Sequence, residues 1–400
     1  MKSGFAFKST NFYENNVAGT FPVIKIKNVA NGDVNLKDVV FHEFDESLSR
    51  YLISKGDVLI AMTGNHPQAL TQVVGDVSRY KLDVQALLNQ RVGKLVVKKD
   101  ADLDFIYYLF KDEEVQNTLA NNSSGSANQA NISKGDILEL QLNMPELPEQ
   151  KAIAEVLSSL DDKIDLLHRQ NKTLEQMAET LFRQWFVEEA DESWEMVPLD
   201  EIAEVKNGFS FSSKSYVEYT PDALEVFKMG HIEKGGGLRT NPKKDYAPKD
   251  EKLNKYILNK GDIVMAMTDM KDNVVILGVP AMIDKSNHYV LNQRVARIYL
   301  KPKKKLINNY LLYIQLKDRD NIAILQSKAN SGVQVNLSTQ TIKDIEIIVP
   351  PLHIQTEKGK IITDLYLKKE NNDNQIHTLE KLRNILLPKL MSGEVSLKSN

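Results

Sequence analysis

The chain has 400 residues, 42% hydrophobic and 26% charged, with a formal net charge of −3. That length exceeds one ordinary core and predicts two or three domains. No apolar run is long enough for a membrane span, the opening MKSGFAFKSTNFYENN has no secretory h-region, and zero cysteines exclude disulfides, thiolate chemistry and Cys-type zinc sites. A cytoplasmic protein is the expectation.

In chain order the sequence repeats itself. GFAFKS at 4–9 answers to GFSFSS at 208–213, KGDVLIAMT at 55–63 to KGDIVMAMT at 260–268, and LNQRV at 88–92 to LNQRV at 291–295. NIS at 131–133 answers to NLS at 336–338, and MPELPEQ at 144–150 to VPPLHIQ at 349–355. Order is kept and the offset stays between 203 and 205, so two domains of one design, each followed by the same kind of segment, are predicted. The second copy opens with WEMVPLDEIAEVKNGF, whereas the first has three residues before its GF. The first domain is therefore expected to lack a strand or helical turn. Either the chain given is truncated at its start or the C-terminal MSGEVSLKSN supplies the missing piece.

Within each domain, DVLIAMT, KLVVKK and DIVMAMT are short apolar runs between breakers, which is a strand signature. Residues 104–121 and 307–327 carry helical spacing and are followed by loops rich in Gly, Ser and Asn. Strands and helices do not alternate strictly, so the fold class is α+β.

From residue 148 the character changes. The segment 148–192 holds 5 basic and 11 acidic residues. Ile153, Leu157, Leu160, Ile164, Leu167, Asn171, Leu174, Ala178, Leu181 and Trp185 follow one another at alternating spacings of four and three, a coiled-coil seam with a polar residue at one a position. A helix over 148–187 would be about 60 Å long. The second copy, 352–391, keeps the register with Ile362, Leu365, Ile376, Leu379, Leu386 and Leu390, interrupted by Lys369, Asn372 and Arg383. Pro388 should kink or end it near the last turn. The two helices are predicted to pair antiparallel within one chain. Asp161 and Asp162, neighbours on the first helix, read as solvated surface.

Several enzyme classes find no support. There is no G-x-x-x-x-G-K-[ST] loop, the GGGL at 235–238 is a turn and no dinucleotide fingerprint, and no amino-methyltransferase motif occurs. Seven histidines are scattered without an H-x-x-x-H pair, so no metal centre is expected.

LNQRV late in a domain, a Ser/Gly/Asn loop, and a PPL.EQ-like turn into a long helix ending LFRQWF together resemble the specificity subunit of Type I restriction–modification systems. The carriers are residues 88–92, 123–133, 147–150 and 181–186, with 291–295, 330–338 and 350–352 in the second copy. The departures are the short start of the first domain and PPLHIQ, where the family usually has an acidic residue before Gln. The resemblance implies two pseudo-symmetric target recognition domains, 1–147 and 193–351, joined by helical spacers at 148–192 and 352–400 that form an antiparallel intrachain coiled coil. It implies a non-catalytic subunit in which each domain reads half of a bipartite, asymmetric site in double-stranded DNA. Two methyltransferase (modification) subunits would dock on it, joined in a full system by restriction/translocase subunits. No cofactor is expected in this chain; S-adenosylmethionine, ATP and magnesium would sit on those partners, and no membrane is involved. A coiled-coil scaffold with two protein-binding domains and no DNA selectivity is the alternative.

Readers of different half-sites should differ between the copies, and base edges are read by Arg, Lys, Asn and Gln. The candidates are Asn65, His66 and Gln68 in the first domain, Asp269, Lys271 and Asn273 in the second, and Ser126, Asn128, Gln129 and Gln334 in the Ser/Asn loops. Gln90, Arg91, Gln293 and Arg294 are identical in both copies and read as framework or phosphate contacts. Lys8, Lys25, Lys27, Lys214 and Lys228 are phosphate candidates. KPKKK at 301–305 reads as a solvated turn.

Overall fold

A computed structural model describes residues 1–30, 32–65, 74–126, 129–270, 274–302, 305–331 and 334–397. The chain divides into two compact units, residues 1–166 with 376–400, and residues 167–375.

The first unit is built on a six-stranded sheet ordered Lys2–Ser3, Val92–Lys94, Val58–Ala61, Val77–Arg79, Asp33–Val34, Val29–Ala30. A four-stranded sheet runs Val40–Glu43, Thr20–Ile24, Ala86–Leu88, Leu52–Ile53, with Ala86–Leu88 parallel to Thr20–Ile24. The second unit matches it with Ala203–Asn207, Val295–Leu300, Ile263–Ala266, Pro280–Met282, and with Tyr246–Ala247, Leu224–Phe227, Tyr289–Leu291, the last two again parallel. The α+β reading holds.

The KGD motifs show why these strands begin where they do. Gly56 and Gly261 adopt φ of 95° and 86°, a region glycine enters without cost. The following aspartates close the turn: Asp57 accepts the Ser54 N–H at 2.9 Å and Asp262 the Asn259 N–H at 2.6 Å. Each aspartate also meets a cation of the neighbouring strand, Lys94 at 2.6 Å and Arg297 at 2.9 Å. The strands that follow, Val58–Ala61 and Ile263–Ala266, are buried throughout.

The first long helix runs Leu147–Arg183 and continues as a widened turn, Gln184–Glu188. The second runs through Leu352–Ile354, a widened turn Gln355–Gly359, and Lys360–Met391, passing Pro388 one turn before its end. In each unit the two helices pair antiparallel. In the first unit Asp161 meets Arg383 at 2.9 Å and Glu149 accepts the Leu397 N–H at 3.2 Å. In the second, Asn171 accepts from the Asn372 amide at 2.9 Å and Lys358 meets Glu189 at 3.2 Å. Every predicted seam position on both helices is buried or half-buried.

The three polar interruptions of the second seam are matched rather than idle. Asn372 meets Asn171, Arg383 meets Asp161, and Lys369 stands 3.9 Å from Glu175 and 2.9 Å from Asp373. The expectation that Asp161 is solvated was wrong. It is 9% exposed and also accepts the Tyr108 hydroxyl at 2.8 Å. Burial opposes its charge, but the Arg383 and Tyr108 hydrogen bonds and the Lys111 charge hold its pKa below the usual carboxylate value. Neighbouring helix positions do not share a face, so Asp161 turns inward while Asp162 faces water; the adjacency excluded a carboxylate pair but not burial of one member.

The lead-in of the second domain forms the strand Glu195–Pro198, paired with Glu346–Val349. In the first unit, Val395 and Leu397 of the C-terminal segment pack with Leu140 and Leu142 on the core that includes Ile153 and Leu390. The basic cluster at 301–305 is engaged at both described ends: Lys301 donates to the Asp200 carbonyl and Lys305 pairs with Glu195 at 2.5 Å. Among the described residues no helix is long and apolar enough to cross a membrane.

Candidate nucleic-acid interface

LNQRV is a strand end, a turn and a strand start. Leu88 and Val92, like Leu291 and Val295, are buried; the tips, Gln90–Arg91 and Gln293–Arg294, are exposed. Asn89 and Asn292 tie the turn, their side-chain oxygens accepting the N–H of Arg91 at 3.4 Å and of Arg294 at 3.2 Å. The GF motif docks on the same turn in both copies. The Phe5 N–H donates to Leu88 O and the Phe209 N–H to Leu291 O, each at 2.8 Å. A Cβ on Gly4 would lie 2.1 Å from Asn89 O, and one on Gly208 2.3 Å from Asn292 O. Only glycine permits this approach, so the two repeated motifs are halves of one joint.

Next to this joint each unit carries a small three-stranded sheet. In the first unit its order is Ser124–Ser126, Gln129–Asn131, Thr63–Gly64; in the second, Thr268–Met270, Gln334–Asn336, Asn330–Ser331. Its attachment is duplicated, Met62 N–H donating to Arg91 O at 2.9 Å and Met267 N–H to Arg294 O at 3.0 Å. In the first unit the Arg91 guanidinium also donates to Asn131 Oδ1 at 3.3 Å, as does the Thr63 hydroxyl at 2.8 Å. Asn131 was not singled out by sequence, although the repeated NIS/NLS marked its position.

The half-buried Asn65 closes the start of the first-domain loop, its carbonyl accepting the Val74 N–H at 3.0 Å. Ser126, Gln129 and Gln334 lie on strands of the small sheets. His66, Gln68, Asn128, Lys271 and Asn273 lie outside the described residues. Asp269 is committed locally. It accepts the N–H of Met270, Val275, Ile276 and Leu277 at 2.6 to 3.3 Å. Burial raises its pKa, but these backbone donors outweigh burial and hold the carboxyl below its ordinary value, so it shapes the loop in its charged form.

The lysines separate. Lys8, Lys27 and Lys214 are exposed. Lys25 lies 4.3 Å over the Phe12 ring, and burial followed by the Lys27 charge lowers its pKa. Its counterpart Lys228 lies 4.1 Å over Tyr216 but pairs with Asp245 at 2.6 Å; burial works against its charge, and the Asp245 and Tyr216 hydrogen bonds raise its pKa nonetheless. The edge-on Phe5–Phe7 contact at 4.9 Å recurs as Phe209–Phe211 at 4.9 Å. Each unit thus shows an exposed Gln–Arg turn, a small sheet hydrogen-bonded to that turn and a lysine on an aromatic ring. This arrangement can neutralise phosphates and present amide and hydroxyl groups to base edges. Among the described residues no group of three or more His, Asp or Glu could hold a metal ion.

Comparison with known proteins agrees with this duplication. The family described as the Type I restriction modification DNA specificity domain matches twice, at residues 1–176 and 191–381. The MjaIX specificity subunit of Methanocaldococcus jannaschii is 26% identical, over 95% of this chain and 91% of that protein. The EcoKI specificity subunit of Escherichia coli is 23% identical, over 94% of this chain and 82% of that protein. The crystal structure of the Type I restriction–modification S subunit from M. genitalium has the same fold, with a TM-score of 0.56 at 18% identity over 100% of this chain and 94% of that one. With both halves and most of its length accounted for, the chain belongs to the Type I restriction modification DNA specificity family.

Proposed function

We propose that this chain is the sequence-reading, non-catalytic subunit of a Type I restriction–modification complex. The observation that carries the reading is the pairing, in each unit, of an identical glycine-locked LNQRV framework with an adjacent small sheet whose strand residues differ. A shared framework suits contacts that every site offers, the phosphates; divergent residues suit contacts that only one half-site offers. Residues 1–147 and 193–351 are then the two target recognition domains for a bipartite, asymmetric site in double-stranded DNA. The helices at 148–192 and 352–400 set the gap and carry two methyltransferase subunits, with restriction subunits added in a full system. Methyl transfer with S-adenosylmethionine and any ATP- and magnesium-dependent step belong to those partners.

Among the candidates, Gln90, Arg91, Gln293, Arg294, Lys8, Lys25, Lys27 and Lys214 serve the phosphates. Lys228 is the weakest of this set, since Asp245 already holds its ammonium. Asn65, Ser126, Gln129 and Gln334 are assigned to base reading; His66, Gln68, Asn128, Lys271 and Asn273 are assigned to it from sequence alone, outside the described residues.

The test is long-read detection of N6-methyladenine in cells expressing the neighbouring methyltransferase with and without this chain. A split motif present only with the chain is expected. Methylation that ignores the chain would leave a scaffold for other proteins as the better reading.

A further inference from the structure

The glutamine that ends MPELPEQ and VPPLHIQ is 2% exposed in both copies. Gln150 Oε1 accepts the Asp102 N–H at 2.9 Å, and its amide donates to Asp100 O at 3.1 Å and Pro145 O at 2.9 Å. Gln355 Oε1 accepts the Ile307 N–H at 3.0 Å, and its amide donates to Lys305 O at 2.9 Å and Pro350 O at 2.7 Å. One side chain on the first turn of each long helix therefore grips the segment entering that helix and the loop leading to a domain helix, Leu103–Leu109 or Asn309–Lys317.

Every partner is a backbone atom. The residues supplying them differ, Asp100 and Asp102 in one copy against Lys305 and Ile307 in the other, yet the three bonds are the same. A grip that ignores side chains works for any reading domain of this design. Its place matters mechanically because it sits where the domain meets its helix. For a domain of roughly 150 residues, with a radius on the order of 20 Å, a swing of about 10° at this joint moves the reading loops by about 3.4 Å, one base step along a strand.

We infer that Gln150 and Gln355 are positioning residues that fix the angle between each reading domain and its spacer helix, and so hold the gap between half-sites to a single length. The inference rests on the function proposed above. It predicts that loosening the joint relaxes the gap and leaves the bases read unchanged.

The experiment uses the full chain co-expressed with its methyltransferase subunit and maps N6-methyladenine in wild type, Gln150→Glu, Gln355→Glu and a core control, Leu119→Ala. The glutamate has the shape of glutamine but sets a carboxylate oxygen against two carbonyl oxygens. Sites with a gap one base pair longer or shorter should gain about tenfold relative to wild type, the factor that one hydrogen bond of ordinary net worth carries. The half-site bases should stay the same, and Leu119→Ala should lower methylation at all sites without new gaps. Should the glutamate variants fail to accumulate, Gln150→Asn, whose amide is one methylene short, gives the same readout. Lower methylation with the gap unchanged in the glutamine variants would overturn the inference and leave the side chain a fold-stabilising group. Absence of a split motif in wild type would instead sink the underlying function.

Discussion

Asn28 and His231 occupy equivalent places in the two units and do the same local work. Asn28 Oδ1 accepts the Lys25 N–H at 3.1 Å; His231 Nδ1 accepts the Lys228 N–H at 3.1 Å. Their other ends part company. The Asn28 amide donates to Lys37 O at 3.0 Å, a neutral backbone contact. His231 Nε2 meets Glu225, a buried acid that also faces His288 and Lys244, each at 3.3 Å. The backbone turn is what the two domains share, and the chemistry that fills the space behind it is free to diverge. Accepting at Nδ1 means that His231 donates from Nε2 as a neutral ring, so the second unit keeps an anion where the first has Pro22.

That contrast can be attacked at four depths. Gly4→Ala and Gly208→Ala push a methyl group into a carbonyl in either copy and should each cost about 3 kcal/mol, the upper range for overpacking; urea unfolding of the purified chain would read it, and a harmless substitution in one copy would break the claimed equivalence. Glu225→Gln should cost about 2 kcal/mol at neutral pH through its charged hydrogen bonds. Burial raises the Glu225 pKa, but the His231 and His288 hydrogen bonds and Lys244 lower it well below 4.5. A depressed carboxylate stabilises the fold above its unfolded pKa and loses that contribution as pH falls towards its folded one. The deficit of Glu225→Gln against wild type should therefore be full above about pH 5 and shrink below the ordinary value of 4.5; a deficit constant down to pH 3 would contradict the assignment.

Arg91→Ala and Arg294→Ala should weaken DNA binding of the assembled complex by roughly 1 kcal/mol each, lower the slope of log affinity against log salt by about 1, and leave the methylated motif unchanged. A changed base preference in either variant would move that arginine from framework to reader. Last, replacing Asn171 and Asn372 together by leucine should stabilise the second unit by about 1 kcal/mol in urea, since a buried polar pair is commonly worth less than apolar packing of the same volume.

The long helices were readable because helical burial is a local pattern: Ile153 through Trp185 announce it at spacings of three and four. The repeat was readable because the motifs recur in one order. The jobs of individual motif residues were not. Gln150 binds atoms about fifty positions earlier, and those atoms belong to the backbone, which carries no sequence signal. Asp161 looked like surface because its partners, Tyr108 and Arg383, lie 53 and 222 positions away. Gly4 is intelligible only once Asn89 is placed against it. For the candidate base readers, sequence offered residue types suited to base edges, but Asp269 proved to be spent on backbone N–H groups of its own segment. His66, Gln68, Asn128, Lys271 and Asn273 lie outside the described residues.

The matched polar contacts of the helix seam have a consequence for assembly fidelity. A seam of leucines alone tolerates a shift by one heptad, because every new neighbour is again apolar. In the second unit such a shift would leave Asn171 and Asn372 among aliphatic side chains, and in the first it would strand Asp161 from Arg383. Losing the charged hydrogen bonds of this half-buried pair costs about 1.5 to 3 kcal/mol, enough to make the slipped form rarer by a factor on the order of ten to a hundred. The same arithmetic applies when a first helix meets the second helix of a sister protein with its polar positions elsewhere. The polar positions of the seam thus favour the native register over misaligned or foreign pairings, which would leave those groups unpartnered.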